Sequence, residues 1–375
     1  MLRQYIEHPS CQAMAKDPAK IAGRLSRRSR DMNDSMRLLI SANSFYPAVG
    51  GYERVAFAIA QQLASRGHQI KIITSTPGGE DADLPFQVFR TPGIGTLLKL
   101  LRWSDIYIQN NVSLSLLWPI LFCWRPVVSV HHGFYGCSRD RLLSLSPRLK
   151  RLATLFSTNI SVSRAVAESL PGKSLVALNP YRDDVFCRIP SIQKDRDLFF
   201  VGRIVSDKGI DVLVEAMAKL RDRGLRPSLT VAGSGPEEPA IRRKVNELRL
   251  EKLVTFAGRV TDEKLNELLN AHKIMVVPTR EGEGFGVVAL EGIACGCVVV
   301  GSTCGGLPEA IGQCGRTFPN GDSSALAELL HDLLAHPETW QDYFVHAKAH
   351  LDAHRPSVVA DRYLEVLTHV LEAKD

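Results

Sequence analysis

The chain has 375 residues, 45% of them hydrophobic and 23% charged. Such a chain fills two domains of ordinary size and has the make-up of a soluble globular enzyme, which excludes disordered and fibrous classes. Its net charge of +6 is uneven: residues 1–190 hold 24 Lys and Arg against 13 Asp and Glu, the remainder 22 against 27. The first half is therefore expected to face something anionic, for which nucleic acid and a membrane surface are the general candidates.

Residues 1–35 carry Arg24, Arg27, Arg28 and Arg30 without sustained periodicity, and read as a basic, disordered leader. No uninterrupted apolar core precedes a small-residue cleavage site there, so no signal peptide is expected. The longest apolar run, Val112 to Trp124, is about a dozen residues with Pro119 inside it, too short and too broken to span a bilayer. Of eight cysteines, Cys295, Cys297, Cys304 and Cys314 cluster, but not at zinc spacing. Set among Gly, Ala and Val they read as small buried hydrophobes, and a reducing, cytoplasmic setting is expected.

A first strand–loop–helix–strand unit runs from Arg37–Ala42 through Gly50-Gly51 to a helix over Tyr52–Arg66 and a strand at Gln69–Thr74. Val55, Ile59 and Leu63 give the helix its spacing. The glycine pair at that helix start either admits a phosphate or sugar or forms a tight turn. Further strands are expected at Phe86–Arg90, Asp105–Gln109, Val127–Val130, Thr158–Val162 and Leu175–Leu178. The third of these runs into His131-His132-Gly133, beyond the carboxyl end of a parallel strand, where open α/β sheets bind ligands; a loop histidine bonded to backbone is the plainer reading. From Arg139 to Arg151 five basic residues alternate with leucines. As a helix this is either a surface for anionic lipid headgroups or a solvated helix with a core-facing leucine stripe. Without interleaved aromatics, single-stranded nucleic acid is disfavoured.

The pattern loosens near Asn179 to Asp184 and again from Pro190 to Asp195. The expected division is residues 36–185, residues 195–350, and a C-terminal helix in 351–375 packing back towards the N-terminal domain. Strands at Leu198–Val201, Ser228–Ala232, Leu253–Ala257, Lys273–Val277, Val298–Val300 and Arg316–Phe318 alternate with helices at Ile210–Asp222, Glu237–Leu248, Thr261–Ala271 and Val287–Cys295. Such alternation gives a parallel sheet covered on both faces. The fold class is α/β, with two doubly wound parallel-sheet domains facing across a cleft. Gly202-Arg203 through Lys208-Gly209 offers two cations at a strand end, fit for a diphosphate or simply surface charge. Ala232-Gly233-Ser234-Gly235-Pro236 is a poor dinucleotide fingerprint, lacking its third glycine. Asp81-Ala82-Asp83 and Asp195-Arg196-Asp197 imitate metal-binding D-x-D motifs in polar loops with no other ligands nearby; no metal is expected.

The centre of the pattern is Glu283-Gly284-Phe285-Gly286-Val287-Val288-Ala289-Leu290-Glu291. It follows a buried-strand run, and its glycines let backbone approach a ligand at a helix start that attracts diphosphate. Glu291 is expected about two turns inside the helix. Eight helical residues span roughly 12 Å, more than the roughly 5 to 9.5 Å between carboxylates that cleave a glycosidic bond. The spacing instead suits an elongated ligand with hydroxyls at both ends, such as a nucleotide sugar; alone, E-x7-E would be two surface glutamates. Gly305-Gly306-Leu307-Pro308-Glu309 adds a turn and helix start facing the same cleft.

In order and spacing, Gly50-Gly51, His132-Gly133, Gly202-Arg203, Lys208-Gly209, Glu283 to Glu291 and Gly305 to Glu309 resemble the retaining glycosyltransferases of family 4, with the two-Rossmann GT-B fold. The resemblance runs from about Met36 to the C-terminus. It implies that Arg203 and Lys208 bind the donor diphosphate, that Glu291 takes the ribose hydroxyls, and that Glu283 and His132 contact the transferred sugar. By the same resemblance Gly284, Phe285, Gly286 and Val287 meet sugar and phosphates through their backbone, and Gly50 and Gly51 lie against the donor. It implies a UDP- or GDP-sugar co-substrate, no cofactor or metal, and a glycan or lipid-linked acceptor in bacterial surface polysaccharide assembly. The basic first half leads to an expected peripheral contact with anionic membrane on its cytoplasmic face; the basic excess is scattered and carries no recognition motif, so no contact with nucleic acid is expected. An epimerase of similar fold or a non-catalytic nucleotide-sugar-binding partner are the alternatives.

Overall fold

A computed structural model describes residues 35–45, 50–78, 84–135 and 145–373. It contains two parallel sheets. The first takes β1 (Arg37–Ala42), β2 (Gln69–Thr74), β3 (Gln87–Arg90), β4 (Ile106–Asn110), β5 (Val127–His131), β6 (Thr158–Ser161) and β7 (Ser174–Val176), in the order β3-β2-β1-β4-β5-β6-β7. The second takes β8 (Arg196–Val201), β9 (Leu229–Ala232), β10 (Val254–Gly258), β11 (His272–Val277), β12 (Val298–Ser302) and β13 (Gly315–Phe318), in the order β10-β9-β8-β11-β12-β13. Each chain segment starts mid-sheet, winds one way and then crosses to the other side. Crevices therefore open beyond the carboxyl ends of β1/β4 and β8/β11, where such sheets take ligands.

Helices α1 (Gly51–Ser65), α2 (Ile94–Trp103), α3 (Leu114–Leu117), α4 (Leu145–Ala153) and α5 (Arg164–Glu168) accompany the first sheet. With the second go α6 (Ile210–Asp222), α7 (Glu238–Glu247), α8 (Asp262–Ala271), α9 (Val287–Ala294), α10 (Leu307–Ile311) and α11 (Ser323–Ala335), followed by α12 (Gln341–Ala353) and α13 (Pro356–Glu372). The central strands are buried on both faces: Leu38, Leu39 and Ile274 to Val276 are all inaccessible, as continuous apolar runs in parallel sheets should be. The last helix leaves the second sheet. Val359, Tyr363 and Leu367 of α13 share one core cluster with Val55, Ile59 and Leu63 of α1 and with Leu38, Ile40 and Ile72.

Strands and helices fall within two residues of the spans read from periodicity, but two local readings change. Asp195-Arg196-Asp197 is not a free polar loop. Arg196 and Asp197 open β8, and the Asp197 carboxylate accepts from Lys273 Nζ (2.8 Å) and Ser228 N (2.9 Å), at the sheet end away from the cleft. Of the leucine stripe before Arg151, Leu145 and Leu149 are 68 and 41% exposed rather than core-facing, and Leu142 and Leu143 lie outside the described residues. The leader, the Asp81-Ala82-Asp83 candidate, and Arg139 and Arg141 lie outside the described residues.

Candidate active site

The loop after β11 is shaped by backbone proximity. Gly286 precedes α9 in the left-handed region (φ 95°), and a Cβ there would meet Leu307 Cδ1 at 2.6 Å. A Cβ on Gly284 would sit 2.0 Å from the carbonyl oxygen of His132, so the two domains touch backbone to backbone at this glycine. Beside it Ser163 Oγ donates to Gly284 O (2.7 Å) while capping α5, and Arg164 N donates to Glu309 Oε1 (2.8 Å). The second domain thus holds the start of a first-domain helix.

Within this closed corner Glu283 accepts from Lys208 Nζ (2.8 Å) and Thr279 Oγ1 (3.3 Å). Lys208 ends a short turn, Ser206–Lys208, after β8. His132 arrives from the end of β5 with its Nε2 3.1 Å from Asn110 Oδ1, while Asn111 Oδ1 accepts from its backbone N. An acceptor oxygen places the proton on Nε2, which leaves Nδ1 a free lone pair. That Nδ1 is buried without a partner. Burial and the adjacent His131 push the His132 pKa down to about 3. His131, between Tyr135 OH (2.8 Å) and Asn159 Oδ1 (2.9 Å), is pushed down to about 4 by burial. Both rings are neutral at neutral pH.

Next to this corner a cavity of about 460 Å³ opens between the lobes. Gly50, Gly51 and Arg54 line it from the first domain; Gly202, Arg203, Val287 and Glu291 line it from the second. The Arg203 side chain is exposed and makes no hydrogen bond or ion pair with a described residue. Glu291 is 6% exposed, likewise without a partner, and burial pushes its carboxyl up to about 7. At the rim Asp262 accepts from both Arg54 Nη2 (2.9 Å) and Arg182 Nη1. Burial alone would raise its carboxyl, but Arg182 and Arg54 hold it below the ordinary range. An unpaired guanidinium and an unpaired carboxyl facing one cavity can take an anion and a pair of hydroxyls.

The sequence-predicted residues thus divide. Gly50, Gly51, Arg203, Val287 and Glu291 line the cavity, whereas His132, Lys208, Glu283, Gly284 and Gly286 form the closed corner beside it. The Phe285 ring is 2% exposed and packs on His354 with centroids 5.4 Å apart, so only its backbone can meet a ligand. Glu291 is the fifth residue of α9, just over one turn in rather than two, because the loop continues to Gly286. Space for a Cβ remains at Gly51, but at Gly50 it would meet Glu53 Oε2 at 2.2 Å: the Glu53 carboxylate folds back over the helix start. Arg54, Arg182, Asp262 and Ser163 were not singled out by sequence reasoning. Only Arg54, three residues beyond the Gly50-Gly51 pair, carried a local signal.

Residues 49–174 match the family described as Glycosyltransferase Family 4, and residues 195–336 the one described as Glycosyl transferases group 1. The GDP-mannose-dependent alpha-(1-6)-phosphatidylinositol monomannoside mannosyltransferase of Mycolicibacterium smegmatis is 32% identical over 345 residues, 80% of this chain and 90% of that protein. N-acetyl-alpha-D-glucosaminyl L-malate synthase of Bacillus anthracis is 26% identical over 341 residues, 78% and 87% of the two chains. Anabaena HepE, solved with UDP, superposes with a TM-score of 0.76 at 20% identity, over 89% of this chain and 100% of that one. Sucrose-phosphate synthase of Thermosynechococcus elongatus gives 0.75 at 20% identity, over 90% and 100%. These structural likenesses establish the fold, GT-B. On fold and sequence together, the chain belongs to the family 4 glycosyltransferases and is a glycosyltransferase.

Proposed function

We propose that the protein moves a sugar from a UDP- or GDP-sugar to a glycan or lipid-linked acceptor, with retention of configuration, in the assembly of a bacterial surface polysaccharide or glycolipid. One observation carries the donor assignment: Arg203, without a partner, and Glu291, buried without a partner, face the same interdomain cavity. Arg203 takes the diphosphate and Glu291 accepts from the ribose hydroxyls, each satisfying a group otherwise costly to leave unpaired. The relatives support both bases, one being GDP-mannose-dependent and another solved with UDP.

In the reaction, negative charge builds on the departing diphosphate while the sugar passes through an oxocarbenium-like state. Arg203, Lys208 and the amino end of α9 are fixed in place and stabilise that charge without reorganising. Lys208 reaches the phosphates by exchanging its Glu283 partner for them, which frees the Glu283 carboxylate for the sugar. The unpartnered Nδ1 of His132 accepts from a sugar hydroxyl across the cleft. A donor phosphate oxygen takes the acceptor's proton on the face from which the nucleotide leaves. The two cations supply the charge neutralisation, so the proposal includes no metal, and it places the enzyme in the cytoplasm with its nucleotide sugar.

A thermal-shift panel of UDP, GDP, ADP and their sugar conjugates tests the donor site, since a ligand bound only by the folded state raises the melting point. The reading fails if none of them does, or if purified Lys208→Ala transfers labelled sugar at the wild-type rate.

A further inference from the structure

Two asparagines at the end of β4 are committed to one histidine of the neighbouring strand. Asn110, the last residue of β4, has Ala42 of β1 on one side and Val130 of β5 on the other. It therefore stands at the crevice where the winding of the sheet reverses. Its side chain is 7% exposed. Asn110 Oδ1, 3.1 Å from His132 Nε2, is the one hydrogen-bond partner of that ring among the described residues. Asn111 follows in the left-handed region (φ 58°), which asparagine tolerates better than most side chains. Two bonds hold it there: its N donates to Val130 O (2.7 Å), and its Oδ1 accepts from His132 N (3.0 Å). The sheet does not need these side-chain bonds, because β4 and β5 already pair through their backbones from Tyr107 to Asn110. What they do is grip His132 twice, by its backbone and by its ring.

The ring bond decides what Nδ1 can offer. A neutral imidazole carries one proton. With Asn110 Oδ1 accepting, that proton sits on Nε2 and the unpartnered Nδ1 presents a lone pair. Turned the other way, the amide would donate to Nε2 and move the proton to Nδ1. That would leave a buried N–H without an acceptor, the costlier of the two orphans. The surroundings keep the ring uncharged. His131 lies beside it in the chain and is itself neutral. Tyr52 of α1, with its ring centroid 6.2 Å away, is a phenol whose pKa burial and Glu53 push up. From the second lobe, Glu283 is engaged by Lys208. No carboxylate of a described residue bonds the imidazole.

We propose that Asn110 is a positioning residue that makes His132 a hydrogen-bond acceptor toward the transferred sugar, with Asn111 fixing the histidine's backbone. A lone pair there accepts from a sugar hydroxyl and faces the positive charge that develops on the sugar; an imidazolium would do neither. This deepens the functional reading and rests on it in one respect: His132 must meet the sugar.

Asn110→Asp is the test. A carboxylate in the same place still accepts from Nε2 but favours the charged ring, so the His132 pKa rises. As pH falls through that raised value, Nδ1 gains a proton and loses its lone pair. The assay is kcat at saturating donor, where the ionisation of Glu291 acts on binding and drops out. The ratio of variant to wild-type kcat should be nearest one at alkaline pH and fall about tenfold per pH unit below the raised pKa. A bond that only supports the fold gives a ratio independent of pH, and that result overturns the proposal. Imidazole ¹⁵N spectra, with His132 assigned from a His132→Gln variant, should place the wild-type proton on Nε2; a proton on Nδ1 overturns it too. Asn111→Gly keeps the left-handed backbone without strain, so it should fold, lose the bond to His132 N and lower kcat about tenfold or more at every pH. An unchanged kcat there overturns the role of Asn111. Circular dichroism checks that each variant is folded, and the nucleotide thermal shift of both should match the wild type. A constant ratio with a normal shift removes the positioning alone; no nucleotide shift in the wild type, with the proton on Nε2, removes the donor reading alone.

Discussion

Replacing Glu291 by glutamine should make the protein more stable at pH 8 and worse at holding a nucleotide. The wild-type carboxyl is 6% exposed without a partner, and burial lifts it from the ordinary 4.5 to about 7. A carboxyl whose folded pKa lies above its unfolded value costs nothing below about pH 4.5; the cost grows as pH rises and levels off above about 7. That window is about 2.5 pH units wide, at about 1.4 kcal/mol each, so the charged form costs about 3 kcal/mol at pH 8. Glutamine keeps the shape and removes the charge. Urea unfolding of both proteins from pH 5 to 8 should show a small gap at the acid end, widening to about 3 kcal/mol in favour of the variant. The wild type's nucleotide affinity should rise through pH 7, because ribose hydroxyls are held by the ionised form, and the variant should lose that rise. A gap that does not change with pH, or a variant less stable at pH 8, would refute the buried, unpaired carboxylate.

Arg203→Ala removes an exposed side chain without a partner, so its unfolding midpoint should barely move. A lost charge-assisted hydrogen bond of about 1.5–3 kcal/mol should lower kcat/KM for transfer about 10- to 100-fold, read by labelled-product formation. Gly284→Ala drives a Cβ to 2.0 Å from the His132 carbonyl oxygen; calorimetry should show the domain contact weakened and activity lost with it. Gly51→Ala meets no atom of a described residue within 4 Å beyond its chain neighbours and its own helix backbone, so it should fold normally, and any rise in KM reports a ligand lying against that helix start. Transfer should survive excess EDTA at full rate; loss restored by Mn²⁺ would overturn the metal-free proposal.

The layout was legible because buried parallel strands are continuous apolar runs. Leu38 to Ile40 and Ile274 to Val277 announce themselves, and loop glycines such as Gly284 mark close approaches. What each glycine approaches was not legible: the carbonyl of His132 lies far away in the chain. The burial of Glu291 was hidden for the same reason, since its surroundings include Arg54, Arg182 and Asp262 from three separate segments. Hydropathy also failed to say which way the run from Val112 to Trp124 faces. Ile120 went to the core while Leu121 and Trp124, 81 and 73% exposed, stayed outside. Side-chain direction in so short a helical turn follows from neighbours, not from composition.

The packing of α13 against α1 has a consequence for biosynthesis. The first lobe's hydrophobic interior needs Val359, Tyr363 and Leu367, which leave the ribosome after every strand of both sheets. Until then Val55 and Ile59 of the nascent lobe lack their cover and stay sticky, so this lobe should mature only once the second sheet has been made. Any chimaera that exchanges first lobes between relatives must carry the matching α13 along, or it will inherit a mismatched lid.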